Sequence, residues 1–122
     1  MMIDTNQNTR AKGTTGEDTA IDYLVSQGYT IIVRNFRVKI GEIDCIARDR
    51  DGTLVFVEVK SSGTTVCGHP FSWITPFKQR TLAKVARWYL SKERITSGAC
   101  RFDAIAIRNG KIEHLKNAFL VA

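Results

Sequence analysis

Residues 41–60 read GEIDCIARDRDGTLVFVEVK, two strand-like runs joined by a charged turn, and they put three ionisable side chains where strand interiors are normally apolar. Asp44 interrupts the first run; Glu58 and Lys60 close the Val-rich second one. A charge buried there without a partner is costly, so the placement needs a physical reason. A hairpin supplies one. With Arg48 opposite Leu54 across a loop over 49–53, the constant index sum of an antiparallel pair sets Asp44 directly opposite Glu58, on one face and with Cβ atoms about 5 Å apart. Lys60, two residues past Glu58, shares that face. Facing carboxylates repel unless a proton or cation lies between them, so the pattern predicts a divalent metal held by oxygen ligands.

The alternation further predicts Ile43, Cys45 and Ala47 on one side with Val55, Val57 and Val59, and Ile46 and Phe56 on the other with the charges. Strands apolar on both faces belong to a sheet covered by helices on both sides. At 122 residues the chain has the size of one domain. Its net charge of +6 favours a polyanionic partner, with nucleic acid first. Three cysteines, Cys45, Cys67 and Cys100, without CxxC spacing argue against a disulfide framework and a thiolate zinc site. The beginning MMIDTNQNTR has no apolar signal-like core, and no later run is long enough to cross a membrane. A cytoplasmic protein with no membrane partner is the expectation, with residues 1–12 a mobile tail and 13–122 a single domain.

Thr15 with Asp18 approximates a capping box, predicting a first helix from near Gly16 to Gly28, a natural C′ residue. Glu17 then projects from the core-facing stripe of Ala20, Ile21 and Leu24. Residues 29–36 (YTIIVRNF) read as a strand, followed by the basic Arg37 and Lys39 near the start of the hairpin. Residues 61–76 read as a long loop. A second helix is expected from Pro76 to about Arg94, cored by Leu82, Val85, Ala86 and Tyr89, with Lys78 at its start despite the unfavourable dipole. RFDAIAIR over 101–108, then Asn109-Gly110, predicts a final hairpin with Asp103 buried and paired to a neighbouring cation. His69 and His114 belong to no motif and are expected at turns or on the surface.

The order is α, β, β, β, α, β, β. Asp44 followed by Glu58-Val59-Lys60 resembles the D…(D/E)xK signature of the PD-(D/E)XK nucleases, whose core has the order αβββαβ. GEID at 41–44, FVEVK at 56–60, Gly16-Glu17 before a helix, Lys78 and RFD at 101–103 are similar to the YraN-like proteins, which resemble archaeal Holliday junction resolvases. The resemblance implies an α/β, restriction-endonuclease-like fold: a mixed sheet flanked by helices with one additional C-terminal strand. It implies that Asp44 and Glu58 bind Mg²⁺ or Mn²⁺ with the Val59 carbonyl and Glu17, and that Lys60 is the catalytic lysine. It also implies DNA as the partner, held by Lys78, Arg37 and Lys39, and a symmetric homodimer. The function implied is a metal-dependent endonuclease acting on branched or structured DNA; the alternative is a catalytically silent module of the same fold that binds nucleic acid or a protein. Ser61 and Ser62 depart from the resemblance, standing where basic residues commonly follow the ExK triplet.

Overall fold

The computed structural model describes residues 5–62 and 71–120, with side chains over 16–61 and 71–120. Its elements, in chain order, are α1 (Thr5–Ser26), β1 (Thr30–Val38), β2 (Gly41–Arg48), β3 (Leu54–Ser62), α2 (Pro76–Lys92), β4 (Cys100–Arg108) and β5 (Lys111–Leu115). The five strands form one sheet in the order β1-β2-β3-β4-β5. All neighbours are antiparallel except β3 and β4, which are parallel and joined through α2. This is the expected mixed sheet with helices on both faces and an added final strand.

Two apolar layers hold it together. Ala20, Leu24 and Tyr29 pack with Cys45, Ala47, Val55, Val57, Ile105 and Ile107 beneath α1. Leu82, Val85, Ala86 and Tyr89 of α2 pack with Ile43, Ile46, Leu54, Phe56 and Phe102 on the other face. Each fully buried Leu, Ile, Val or Phe side chain contributes roughly 1.5–3 kcal/mol relative to exposure. Burial also pushes the Cys45 thiol up to about 12, consistent with a core role.

Ile43 departs from the alternation expected of it, joining the α2 layer and not the Cys45 and Ala47 side. The cause is a coordinated kink in two paired strands. Asn35 of β1 adopts a left-handed backbone (φ 55°), and both flanking pairs, Arg34 with Cys45 and Phe36 with Ile43, keep their register around it. The period of two therefore breaks across Asn35 and the facing Asp44 together.

Helix α1 begins at Thr5, well upstream of Gly16, so Thr15 is an interior helical residue and not its cap. The added turns carry no apolar stripe, leaving periodicity nothing to register, while Gln7, Arg10, Ala11 and Lys12 are adequate helix formers. The end is as expected. Gly28 has φ +92°, its N–H donates to Val25 O, and Tyr29 N–H donates to Leu24 O, the two bonds of a Schellman stop. Helix α2 starts at Pro76 behind an N-cap, Thr75, whose hydroxyl accepts from Lys78 N–H at 3.2 Å. Asn109 and Gly110 both have positive φ, as the predicted two-residue turn requires. The expected 61–76 loop is shortened by β3, which runs to Ser62; Cys67 and His69 lie outside the described residues.

Candidate functional site

The β2–β3 ladder has the expected register, from Arg48 opposite Leu54 to Cys45 opposite Val57. Beyond that point side chains replace backbone partners. The Asp44 N–H donates to Glu58 Oε1 at 3.0 Å, and the Val59 N–H donates to Asp44 Oδ2 at 2.8 Å. Each carboxylate is thus gripped by the other strand's main chain. The turn that sets this register is built on Asp49, whose Oδ1 accepts from the N–H groups of Asp51 and Thr53.

Both carboxylates line a pocket of about 760 Å³ with Glu17 from α1, Lys60 from β3, and Lys78 and Phe77 from the start of α2. Arg37 and Lys39 reach the same pocket from the β1–β2 turn. Every side chain proposed for the site from sequence therefore meets at one place. The ammonium paired with Glu58 is that of Lys78, 3.4 Å from Oε2, whereas Lys60 is exposed and makes no ion pair among the described residues. The Glu58 carboxylate is the anion that offsets a lysine at a helix N-terminus. Arg37 spends its guanidinium on Glu42 Oε1 at 3.1–3.2 Å.

Desolvation dominates the electrostatics. Burial pushes Asp44 up to about 6, opposed by the Val59 N–H and Lys78 and reinforced by the charges of Glu17 and Glu42. Burial likewise pushes Glu58 up to about 7, with the Asp44 charge adding to it and the Asp44 N–H and Lys78 pulling it down. The two carboxyls titrate as a pair.

Glu17 reaches the pocket because α1 lies close against β3. A Cβ on Gly16 would stand 2.4 Å from Ser61 Cβ, so both positions must stay small for this approach. The serine after the ExK triplet has a packing reason. Glu17 Oε1 is buried without a hydrogen-bond partner among the described residues, an acceptor facing the same pocket. As the side chains stand, no group of three or more His, Cys, Asp or Glu among the described residues is so disposed as to hold a metal ion. The donor set nonetheless fits a hard divalent cation: carboxylate oxygens only, two of the groups raised by burial and the third with an orphaned oxygen.

Pocket residues that sequence reasoning missed include Glu42, Trp73 and Phe77. Glu42 follows from no simple alternation, because the period of two breaks at Asp44.

A second polar cluster lies on the α1 side of the sheet. Asp103 is buried and accepts from Arg101 Nε at 2.9 Å and from Asn117 N–H at 3.0 Å, as the expected pairing requires. Arg101 also reaches Asp49 Oδ2 at 2.6 Å and the Tyr29 hydroxyl at 2.8 Å. His114 is not on the surface. Its side chain is 6% exposed, with Nε2 at 2.8 Å from Asp103 Oδ2 and Nδ1 at 3.0 Å from the Tyr23 hydroxyl. These partners hold the Asp103 carboxyl below its ordinary range despite burial, and burial pushes Tyr29 up to about 12. The cluster ties α1, β1, β4, β5 and the Asp49 turn into one frame.

The profile of the uncharacterised protein family UPF0102 matches residues 16–107, a span that holds Glu17, Asp44, Glu58, Lys60 and Lys78. The chain belongs to the UPF0102 family. A UPF0102 protein of Persephonella marina is 50% identical over 108 residues, covering 88% of this chain and 92% of that one. Among solved structures, this UPF0102 chain is similar to a repair endonuclease from Pyrococcus abyssi (16% identity, TM-score 0.40, 77% of this chain and 36% of that one). It is also similar to the protein of an EndoMS-dsDNA2 complex (15% identity, TM-score 0.41, 88% and 37%). It spans little more than a third of either. No helix among its described residues is long and apolar enough to cross a membrane.

Proposed function

We propose that this UPF0102 chain is a metal-dependent endonuclease that hydrolyses a phosphodiester of DNA, acting on branched or structured substrates. The observation that carries the reading is the acidic group in the pocket: Asp44 and Glu58 clamped by each other's strands, beside the orphaned Glu17 Oε1. Stability does not account for keeping such a group, since apolar replacement of buried charges is often neutral or better.

In this reading Asp44 and Glu58, with the Val59 carbonyl and Glu17, hold Mg²⁺ or Mn²⁺. The cation supplies Lewis-acid chemistry, lowering the pKa of water and offsetting phosphate charge. Lys60 orients the attacking water and stabilises the charge that develops on the phosphate oxygens. Lys39 and Arg37 would hold the backbone at the mouth, and Lys78, beside Glu58 at the start of α2, would contact phosphate.

The test is a panel of linear, flapped, forked and four-way DNA with Mg²⁺ or Mn²⁺. Wild type nicks at least one substrate; Asp44→Ala and Glu58→Ala lose that activity, and Lys60→Ala lowers it by about 10²–10³-fold while remaining folded by circular dichroism. Activity surviving in all three variants refutes the assignment. One observation favours a second reading, a catalytically silent binding module: the Lys78 ammonium already neutralises Glu58. That module would bind DNA without a saturable Mn²⁺ site.

A further inference from the structure

Helix α2 carries Lys78, Arg80, Lys84, Arg87 and Lys92 and no acidic residue. Lys78 faces Glu58, but Arg80, Lys84 and Arg87 have no acidic partner among the described residues. Two aromatic side chains on the same helix are left in water, Phe77 at 72% and Trp88 at 57% exposure. Residues 77, 84 and 88 fall within one stripe of an α-helix, and the two rings are separated by about 16 Å along its axis.

The stripe borders the β1–β2 turn, because a Cβ on Gly41 would stand 2.9 Å from Thr81 Cγ2. Between the turn and the helix runs a groove of about 380 Å³ lined by Ile40, Lys84, Arg87, Trp88 and Ser91. Ile40, itself 47% exposed, also lines the acidic pocket, so the groove adjoins it. An exposed tryptophan costs solubility unless something covers it, and here the charges that line the groove are cations only. A protein partner would need a complementary acidic surface; a nucleic acid offers both an anionic backbone and flat apolar faces. The bases of a duplex are stacked on one another and withhold those faces, whereas a single strand offers them.

We propose that the groove between α2 and the β1–β2 turn is a track for a single-stranded nucleic-acid segment, with Lys84 and Arg87 on its phosphates and a base stacked on Trp88, leading to the Asp44–Glu58 pocket. The track rests on the nuclease reading only for what lies at its end. It gives that reading a substrate class: DNA with an unpaired arm, such as a flap or a fork, in preference to a blunt duplex.

The chain has two tryptophans, so Trp73→Phe leaves Trp88 as the sole tryptophan, excited selectively over the three tyrosines at the red edge of the absorption band. Titrated with an oligothymidylate in EDTA, this variant shows quenching of Trp88 that a blunt duplex of equal length does not reproduce. In the otherwise wild-type chain, Trp88→Ala weakens oligothymidylate binding about tenfold, Trp88→Phe recovers part of the loss, and neither changes the salt dependence. Lys84→Ala and Arg87→Ala each lower the slope of log K against log salt by about 0.7. Unchanged affinity in Trp88→Ala, or equal Trp88 quenching by blunt duplex, overturns the proposal. So does a dimer in sedimentation that Trp88→Ala dissociates while oligothymidylate binding stays intact, since the face then serves self-association. Cleavage is read separately: a chain that binds through Trp88 and never cuts keeps the track and loses the nuclease, and a cutting enzyme indifferent to Trp88 does the reverse.

Discussion

Glu58→Gln makes the folded chain more stable when no metal is present, and the gain depends on pH in a defined direction. Glu58 is 6% exposed and its carboxyl is carried from an ordinary 4.5 to about 7, chiefly by burial. At 1.36 kcal/mol per pH unit, holding it ionised costs the folded chain about 3 kcal/mol. Because the folded value lies above the unfolded one, the folded chain keeps a proton the unfolded chain has released. The stability tied to that proton is fully present below the unfolded value near 4.5 and is lost as pH rises through about 7. Glutamine keeps an oxygen to accept the Asp44 N–H and has no charge to desolvate; Lys78, 45% exposed, turns to solvent. Sharing the titration with Asp44 reduces the gain to about 2 kcal/mol, or roughly 8 °C in Tm for a domain of this size. Thermal unfolding by circular dichroism in EDTA measures it: Glu58→Gln melts above wild type at pH near 8, and the two converge toward pH 4. Adding Mn²⁺ raises the wild-type Tm alone. A gap independent of pH, or a wild type that is the more stable at the alkaline end, refutes the claim that burial strains this carboxylate.

Asp103→Asn works in the opposite sense, removing the carboxylate that Arg101, His114 and the Asn117 N–H share, at a cost of about 3–5 kcal/mol read from urea unfolding. The Asp103 carboxyl is lowered, so its stability is complete above the ordinary aspartate value and disappears as pH falls through the folded one; the variant therefore flattens the acid limb of the wild-type profile. Gly16→Ala forces α1 away from Ser61 and weakens Mn²⁺ binding in calorimetry, and the added substitution Ser61→Gly restores part of it; equal affinity in all three chains would show that Glu17 is not held by this contact. Gly28→Ala loses about 1–2 kcal/mol for a side chain in the left-handed region, with its Cβ placed 2.3 Å from Arg50 Nε, and the loss shows as a lower urea midpoint at unchanged slope.

What sequence could reveal here followed from how local each cause is. The β2–β3 register was legible because a five-residue turn and two alternating runs allow one pairing, and the facing of Asp44 and Glu58 followed from arithmetic. Helix α2 and the Asn109-Gly110 turn were legible for the same reason, each having its cap or turn chemistry within a few residues. His114 shows a signal passed over: in KIEHL it shares the inward face with Ile112, so the alternation that makes β5 a strand already buries it. The side taken by Ile43 had no such signal, because it depends on a left-handed Asn35 in another strand. The Gly16–Ser61 approach was equally silent, being a contact between elements far apart in sequence.

The replacement of ladder bonds by carboxylates at the end of the hairpin joins these pieces mechanically. Where the β2–β3 ladder stops, the Asp44 and Val59 N–H groups would be left without partners inside the protein. Glu58 and Asp44 supply those partners, so each acid is oriented by a main-chain donor and not by its own flexible chain. That arrangement fixes two oxygens at the floor of the pocket, while the kink at Asn35 and Asp44 lets the apolar pattern change sides without breaking the sheet. The same residues that end the pairing thereby make the pocket, and their burial gives them raised proton affinities. A hairpin with apolar residues at 44 and 58 would leave two buried N–H groups unpaired. An amide oxygen at either position could accept the same bond without a charge to desolvate, so hydrogen bonding alone does not explain two acids here, and what a cation adds is relief of their charge.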